Sequence, residues 1–309
     1  MLVILLLCIL SGCKGDAKNG SAAQRTAIAT TTGFSGDAAY NYAKAQVAFG
    51  PRVPGTPAAK QAGDWIIRQM RARADTVIVQ SFTYTTADGK KLPLRNILAR
   101  FRPDLPNRVL YLTHWDSRPI SESATTEAEK KMPVPGANDG ASGVGMFVAL
   151  GDVLKKTKPM VGVDLLFTDG EDYGQFGPPE VDVLIGAKYF ATHLPSPGYK
   201  PLYGVLWDMI GDKDLRIPYE MNSFQQVPDV VSKVWQTAAD LGHADVFVEE
   251  SGGSITDDHM PLLNAGLRVI DVIDLTYPPH HTPQDTMDKI SPKSLGIVGD
   301  VATALVTRK

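Results

Sequence analysis

Three observations predict an α/β chain built as a three-layer α/β/α sandwich around a mixed, mostly parallel sheet. Strand-like and helix-like segments alternate over about 270 residues, with no Pro/Gly/Ser linker dividing them. Two early strand segments, joined through Asp88-Gly89, read as a hairpin and make the sheet mixed. The run 161–172, VGVDLLFTDGED, opens with the β-branched and aliphatic residues of a strand buried on both faces. It stops at Asp169-Gly170-Glu171-Asp172. Three carboxylates at the tip of a buried strand repel one another unless something compensates them, and in an open α/β sheet that tip is where ligands bind.

In chain order, residues 37–49 have apolar side chains at helical spacing and are stopped by Gly50-Pro51. A Pro/Gly loop follows at 52–57, then a helix at 58–73 whose buried face is Trp65, Ile66, Ile67 and Met70. Strands are expected at 76–85, 92–101 and 108–112, the last running into His114-Trp115-Asp116. Residues 119–135 form a polar, acidic loop without periodicity, a length usually reserved for function or disorder. Residues 136–143, GANDGASG, open a helix to about 155, with small residues that let it approach the sheet. Their spacing does not match a dinucleotide fingerprint.

Beyond the central strand, helices are expected at 184–194, 227–241, 257–265 and 291–307, and strands at 203–207, 215–221, 246–249 and 268–273. Asp212 and Asp214 lack the glycine and terminal glutamate of a calcium loop. His280-His281-Thr282 lies in a Pro-flanked loop.

Composition narrows the class. The 309 residues are 43% hydrophobic and 21% charged with net charge −3, so no basic excess points to nucleic acid. Residues 2–10, LVILLLCIL, are too short to span a bilayer but suit a signal peptide, and they run into Leu10-Ser11-Gly12-Cys13. That tetrad resembles the bacterial lipobox, whose cysteine is lipidated. The expected organisation is a lipoprotein signal at 1–12, a flexible linker at 13–35 and one catalytic domain at 36–309. The domain would be a monomer anchored at Cys13 to the bacterial cell envelope, on a periplasmic or outer-membrane face. Cys8 and Cys13 are the only cysteines, so the folded part would hold any transition metal with histidine and carboxylate.

His114, Asp116, Asp139, Glu171, Asp172, Asp208 and His281 all fall at strand tips or adjoining loops. Singly each has an ordinary explanation as a cap, a turn or a core imidazole. Together they make the mixed donor set that zinc or a similar divalent ion needs.

HWD, GANDGASG, DGED, WDMIG and HTPQDT, in this order, resemble the co-catalytic zinc exopeptidases of the leucyl-aminopeptidase type and their relatives, the animal-type glutaminyl-peptide cyclotransferases. The resemblance spans roughly residue 37 to the C-terminus and implies the zinc-exopeptidase (phosphorylase/hydrolase-like) fold. For a two-zinc aminopeptidase it implies Asp139 as bridging ligand, His114 and Asp208 completing one site, and Asp172 and His281 the other. Glu171 would be the general base and Asp116 the partner orienting His114. The cyclotransferase version keeps one zinc, on Asp139, Asp172 and His281. Asp172 stands where both branches usually carry glutamate.

The segment from Asp257-Asp258-His259 to Leu263, and the loop Arg52-Val53-Pro54-Gly55, resemble the cyclotransferase branch, where an acid at position 257 joins Glu171 and Asp208 in a network. Two positions depart from that branch: His280 replaces a pocket aromatic, and Asp271 replaces a histidine. The resemblance therefore implies conversion of N-terminal glutamine of peptides to pyroglutamate with release of ammonia. The alternative is a metallo-aminopeptidase, in which Glu171 activates a water. A third reading, a non-enzymatic surface lipoprotein, would predict decay of the base or ligands, and all are present.

Overall fold

In a computed structural model of the chain, residues 32–308 are described. The expectations for the signal run and Cys13 lie outside the described residues. Residues 32–35, assigned above to the linker, pack on the fold: Phe34 lies against Gly299, and the Ser35 hydroxyl accepts from the Ala38 amide to cap the first helix. Among the described residues, no helix is long and apolar enough to cross a membrane.

The elements run α1 (Gly36–Val47), α2 (Pro57–Arg71), β1 (Thr76–Thr85), β2 (Lys91–Phe101), β3 (Arg108–His114), α3 (Ala141–Lys156), β4 (Gly162–Thr168), α4 (Ile185–Thr192) and β5 (Tyr203–Asp208). Then come β6 (Ile217–Tyr219), α5 (Met221–Gln226), α6 (Pro228–Asp240), β7 (Phe247–Ser251), α7 (His259–Asn264), β8 (Val269–Ile273) and α8 (Pro292–Thr307). The main sheet has the order β1-β2-β4-β3-β5-β8. β1, β2 and β4 pair antiparallel, while β4, β3, β5 and β8 are mutually parallel, as expected for a mixed, mostly parallel sheet.

Side chains alternate across that sheet because successive strand residues face opposite ways. Val109, Tyr111, Val163, Leu165, Phe167, Val205 and Trp207 join the larger core with α1, α2, α3, α6 and α8. Leu110, Leu112, Leu166 and Leu206 join a smaller core with Phe190 of α4 and Leu262 of α7. This is the three-layer sandwich. Thr56 and Ser291 cap α2 and α8, each with proline at the first helical position.

One region differs from the sequence reading. The strand expected at 215–221 is only β6, pairing parallel with β7 in a separate two-stranded sheet, and the chain turns at once into α5. The Glu220 carboxylate accepts from the amides of Asn222 and Ser223 and starts that helix. A strong cap overrides the β-like run before it.

Candidate metal centre

Four parallel strands deliver their C-terminal ends to one edge. The chain goes from β3 to β4 on one side, then returns across β3 to β5, so a crevice opens over these tips. His114 ends β3, Asp208 ends β5, and Glu171 and Asp172 follow β4. Asp139 sits just before α3, where Gly140 has φ +92°, and a Cβ there would meet the Asp116 carbonyl at 2.6 Å. Gly143 lets α3 press on the sheet, since a Cβ would meet the Thr113 hydroxyl at 2.1 Å. His281 and Met209, next to Asp208, both take left-handed backbone conformations, with φ 55° and 45°. Non-glycine residues held there cost on the order of 1–3 kcal/mol and cluster at functional sites.

The fold brings every anticipated residue to this edge. His114 Nε2 lies 3.0 Å from Asp139 Oδ1 and 3.3 Å from Asp208 Oδ1. Its Nδ1 is 3.5 Å from Asp116 Oδ1 and 3.6 Å from Glu171 Oε2. His281 Nε2 lies 3.4 Å from Asp172 Oδ1 and 3.6 Å from Asp139 Oδ2. Asp139 thus faces both imidazoles. Asp116 also accepts from the Glu171 and Asp172 amides at 3.1 and 3.2 Å, which fixes the turn after β4. Asp257 lines the same cleft as Glu171 and Asp208.

These residues fit a divalent ion. Asp139 Oδ2, Asp172 Oδ2 and both His114 nitrogens are buried without a partner in hydrogen-bonding geometry. Buried polar atoms are rarely left so. Two donor groups have the compactness a metal needs, His114/Asp139/Asp208 and Asp139/His280/His281. Imidazole nitrogens and carboxylate oxygens are the zinc donors available to a chain without cysteine here.

Electrostatics point the same way. Burial, then Asp172, Asp257 and Asp258, push the Glu171 carboxyl well above its usual range, against the pull of His114. Burial and then Asp208 raise Asp257 likewise. Burial raises Asp258 to about 7, against the hydrogen bond that the Thr168 hydroxyl donates to it. Burial would lower His281, but Asp172 and Glu122 outweigh it and raise it to about 10. A cation would relieve this crowd of acids.

The sequence reading missed the contacts that four residues make at the metal centre. Arg118 Nη1 binds Asp172 Oδ1 at 2.6 Å, and Glu122 Oε1 is 2.7 Å from His281 Nδ1. Asp285 accepts from the Asn138 and Asp139 amides and from the Tyr277 hydroxyl, steadying the turn that carries Asp139. His280, anticipated only as a changed pocket wall, reaches within 4.0 Å of Asp139. Asp285 lies inside the HTPQDT motif, so its signal existed, whereas Glu122 is one of three glutamates in the long loop and nothing there singles it out. The histidine absent from position 271 has a counterpart in His259, whose Nδ1 is 3.6 Å from Asp271 and whose Nε2 is 3.4 Å from Glu220.

The cleft over the site measures about 730 Å³, with Ile120, Phe176, Ile255, Leu275 and His280 among its walls.

Residues 96–306 match the model of peptidase family M28. The fold overlays a glutaminyl cyclase of Porphyromonas gingivalis with a TM-score of 0.85 at 36% identity, covering 88% of this chain and 98% of that one. It overlays a leucine aminopeptidase precursor of Bacteroides thetaiotaomicron with a TM-score of 0.87 at 33% identity, covering 91% and 100%. Among curated sequences, a probable zinc metalloprotease of Leptosphaeria maculans is 31% identical over 54% of this chain, which spans only 39% of that protein. With a buried histidine–carboxylate cluster at the predicted sheet edge and this match over most of its length, the chain belongs to peptidase family M28, in the zinc exopeptidase superfamily.

Proposed function

We propose that the chain is a zinc-dependent glutaminyl-peptide cyclotransferase acting on peptide N-termini. The observation that carries this reading is Asp257, a third carboxylate lining one cleft with Glu171 and Asp208. Asp139, Asp172 and His281 would hold one zinc. When bound, it supplies Lewis-acid polarisation of the substrate carbonyl.

The substrate's α-amine attacks its own γ-carboxamide carbon, and a C–N bond forms. Glu171 takes the proton from that amine and passes it to the carboxamide nitrogen, whose bond to carbon breaks to release ammonia. Asp208 and Asp257 face the same space and hold the amine. A carboxyl that crowding leaves ready to carry a proton suits this transfer. The glutamine side chain needs an apolar wall, and Phe176 offers one where His280 has replaced the aromatic of the resembling branch. The Arg118 guanidinium lies 5.6 Å from the centre of the Phe176 ring.

One observation favours a second reading. In the His114/Asp139/Asp208 group the 3.0 and 3.3 Å separations are close to the edge of a zinc tetrahedron, about 3.3 Å for bonds of about 2.0 Å. A second zinc there would make the enzyme an aminopeptidase, with Glu171 taking its proton from water. Mass spectrometry of products from Gln-peptides and Leu-peptides separates the two. Pyroglutamyl product from the first and no cleavage of the second supports the cyclotransferase. Free leucine without pyroglutamyl product overturns it.

We further propose that Cys13 is acylated and tethers the protein to the bacterial envelope, on the strength of the apolar run ending at Leu10-Ser11-Gly12-Cys13. Cys13→Ser should leave the membrane fraction and lose the lipid mass. The same fraction and mass would contradict the anchor.

A further inference from the structure

The long loop before α3 reaches the metal centre through two side chains. Arg118, itself buried, gives Nη1 to Asp172 Oδ1 at 2.6 Å and Nε to Glu122 Oε2 at 2.6 Å. The other Glu122 oxygen, Oε1, stands 2.7 Å from His281 Nδ1. The backbone repeats the link, since the Ser123 amide donates to the His281 carbonyl at 3.2 Å. The loop is braced in turn by the Val134 amide on the Arg118 carbonyl and the Ser121 hydroxyl on the Met132 carbonyl.

This chain of contacts has a chemical consequence at each end. An ionised carboxylate can only accept hydrogen bonds, so in the singly protonated ring that a ligand needs, Glu122 keeps the proton of His281 on Nδ1. That leaves the Nε2 lone pair facing Asp139 and Asp172. At the other end Arg118 occupies one Asp172 oxygen, while the second, Oδ2, stays buried and unpartnered. One carboxylate oxygen is thereby fixed and the other reserved. Asp172 has a shorter reach than the glutamate of the resembling families, and the Arg118 contact fixes where its carboxylate sits.

We infer that Arg118 and Glu122 are positioning residues of the metal centre, holding Asp172 and His281 in ligand form for a divalent cation. The inference rests on the zinc reading of this site and not on whether the enzyme cyclises or hydrolyses. Such outer partners are typically worth 10- to 100-fold in metal affinity.

The test is the zinc dissociation constant, measured by competition with a chromogenic chelator, for the full-length wild type, Glu122→Ala, Glu122→Gln, Arg118→Met and Glu127→Ala. Glu127 is exposed in the same loop and pairs with Lys130 at 2.7 Å, away from both ligands. Glu122→Ala and Arg118→Met should bind zinc roughly 10- to 100-fold more weakly. Glu122→Gln should recover part of the loss, because its amide oxygen still accepts from Nδ1–H, and Glu127→Ala should match wild type. The cobalt-substituted spectrum should change in Glu122→Ala and not in Glu127→Ala. Unchanged affinity in Glu122→Ala, or an equal loss in Glu127→Ala, overturns the inference and leaves only a loop staple. If the wild type takes up no zinc, the zinc reading itself fails before any variant is compared.

Discussion

Strand β4 carries Asp164 near one end and leads into Glu171 and Asp172 at the other, and all three are buried. Asp164 is completely compensated. It accepts from Arg100 Nε at 3.0 Å, Arg108 Nε at 2.8 Å and the Tyr199 hydroxyl at 2.9 Å, and Arg108 adds Nη2. The other end gathers Asp139, Glu171, Asp172, Asp208, Asp257 and Asp258 around His114, His280, His281 and Arg118, and leaves buried oxygens of Asp139, Asp172 and Asp258 unpartnered. Buried charge at one end is therefore structural, because every lone pair has a donor. At the other the acids outnumber the cations the protein supplies, which leaves room for one from outside.

The largest effect that can break this contrast is catalytic. Glu171→Gln should lower turnover by ~100- to 10,000-fold with zinc still bound, since in the proposed reaction Glu171 moves a proton and does not ligate. Asp172→Ala or His281→Ala should lose the metal instead. Zinc content measured beside turnover checks both, and an empty site in Glu171→Gln would reverse base and ligand.

Next in size is the structural end. Arg108→Leu strips donors from Asp164 while Arg100 and Tyr199 remain, so denaturant unfolding should show a loss of about 3 kcal/mol, the low end for a broken buried pair. Its zinc content should match wild type. A variant as stable as wild type would show that Asp164 needs less compensation than its partners suggest.

A smaller effect tests whether the ends are independent. Zinc at about a hundred times its dissociation constant should add ~2.7 kcal/mol to unfolding stability, lost on chelation. Arg108→Leu should retain that whole increment, because its lesion lies at the opposite sheet edge. A diminished increment would mean the two ends are not independent.

The functional end was the more legible in sequence. His114, Asp139, Glu171, Asp172 and Asp208 each sit at or beside the end of a regular element, where a buried apolar run meets an isolated polar residue, and that contrast is local. Strand period and turn residues likewise exposed the sandwich. Arg118 and Glu122 were not legible in the same way, because their partners Asp172 and His281 lie 54 and 159 residues away in the chain. Nothing in a loop without periodicity states which acid will reach across. The α5 helix escaped for a related reason. Glu220 caps it and also accepts from the Ile255 amide, a contact that only the folded chain provides. In the sequence Asp164 is one charge in an apolar strand, and only strand pairing brings it the arginines that identify it as structural.

In the proposed reading the unpartnered carboxylates at the C-terminal sheet edge hold one zinc ion. Anomalous diffraction at the zinc edge, on crystals of the zinc-loaded protein, tests it directly. The expected map has a single strong peak ligated by Asp139, Asp172 and His281, with no second ion between His114 and Asp208. Two ions of equal occupancy, or a peak away from Asp139, would contradict it.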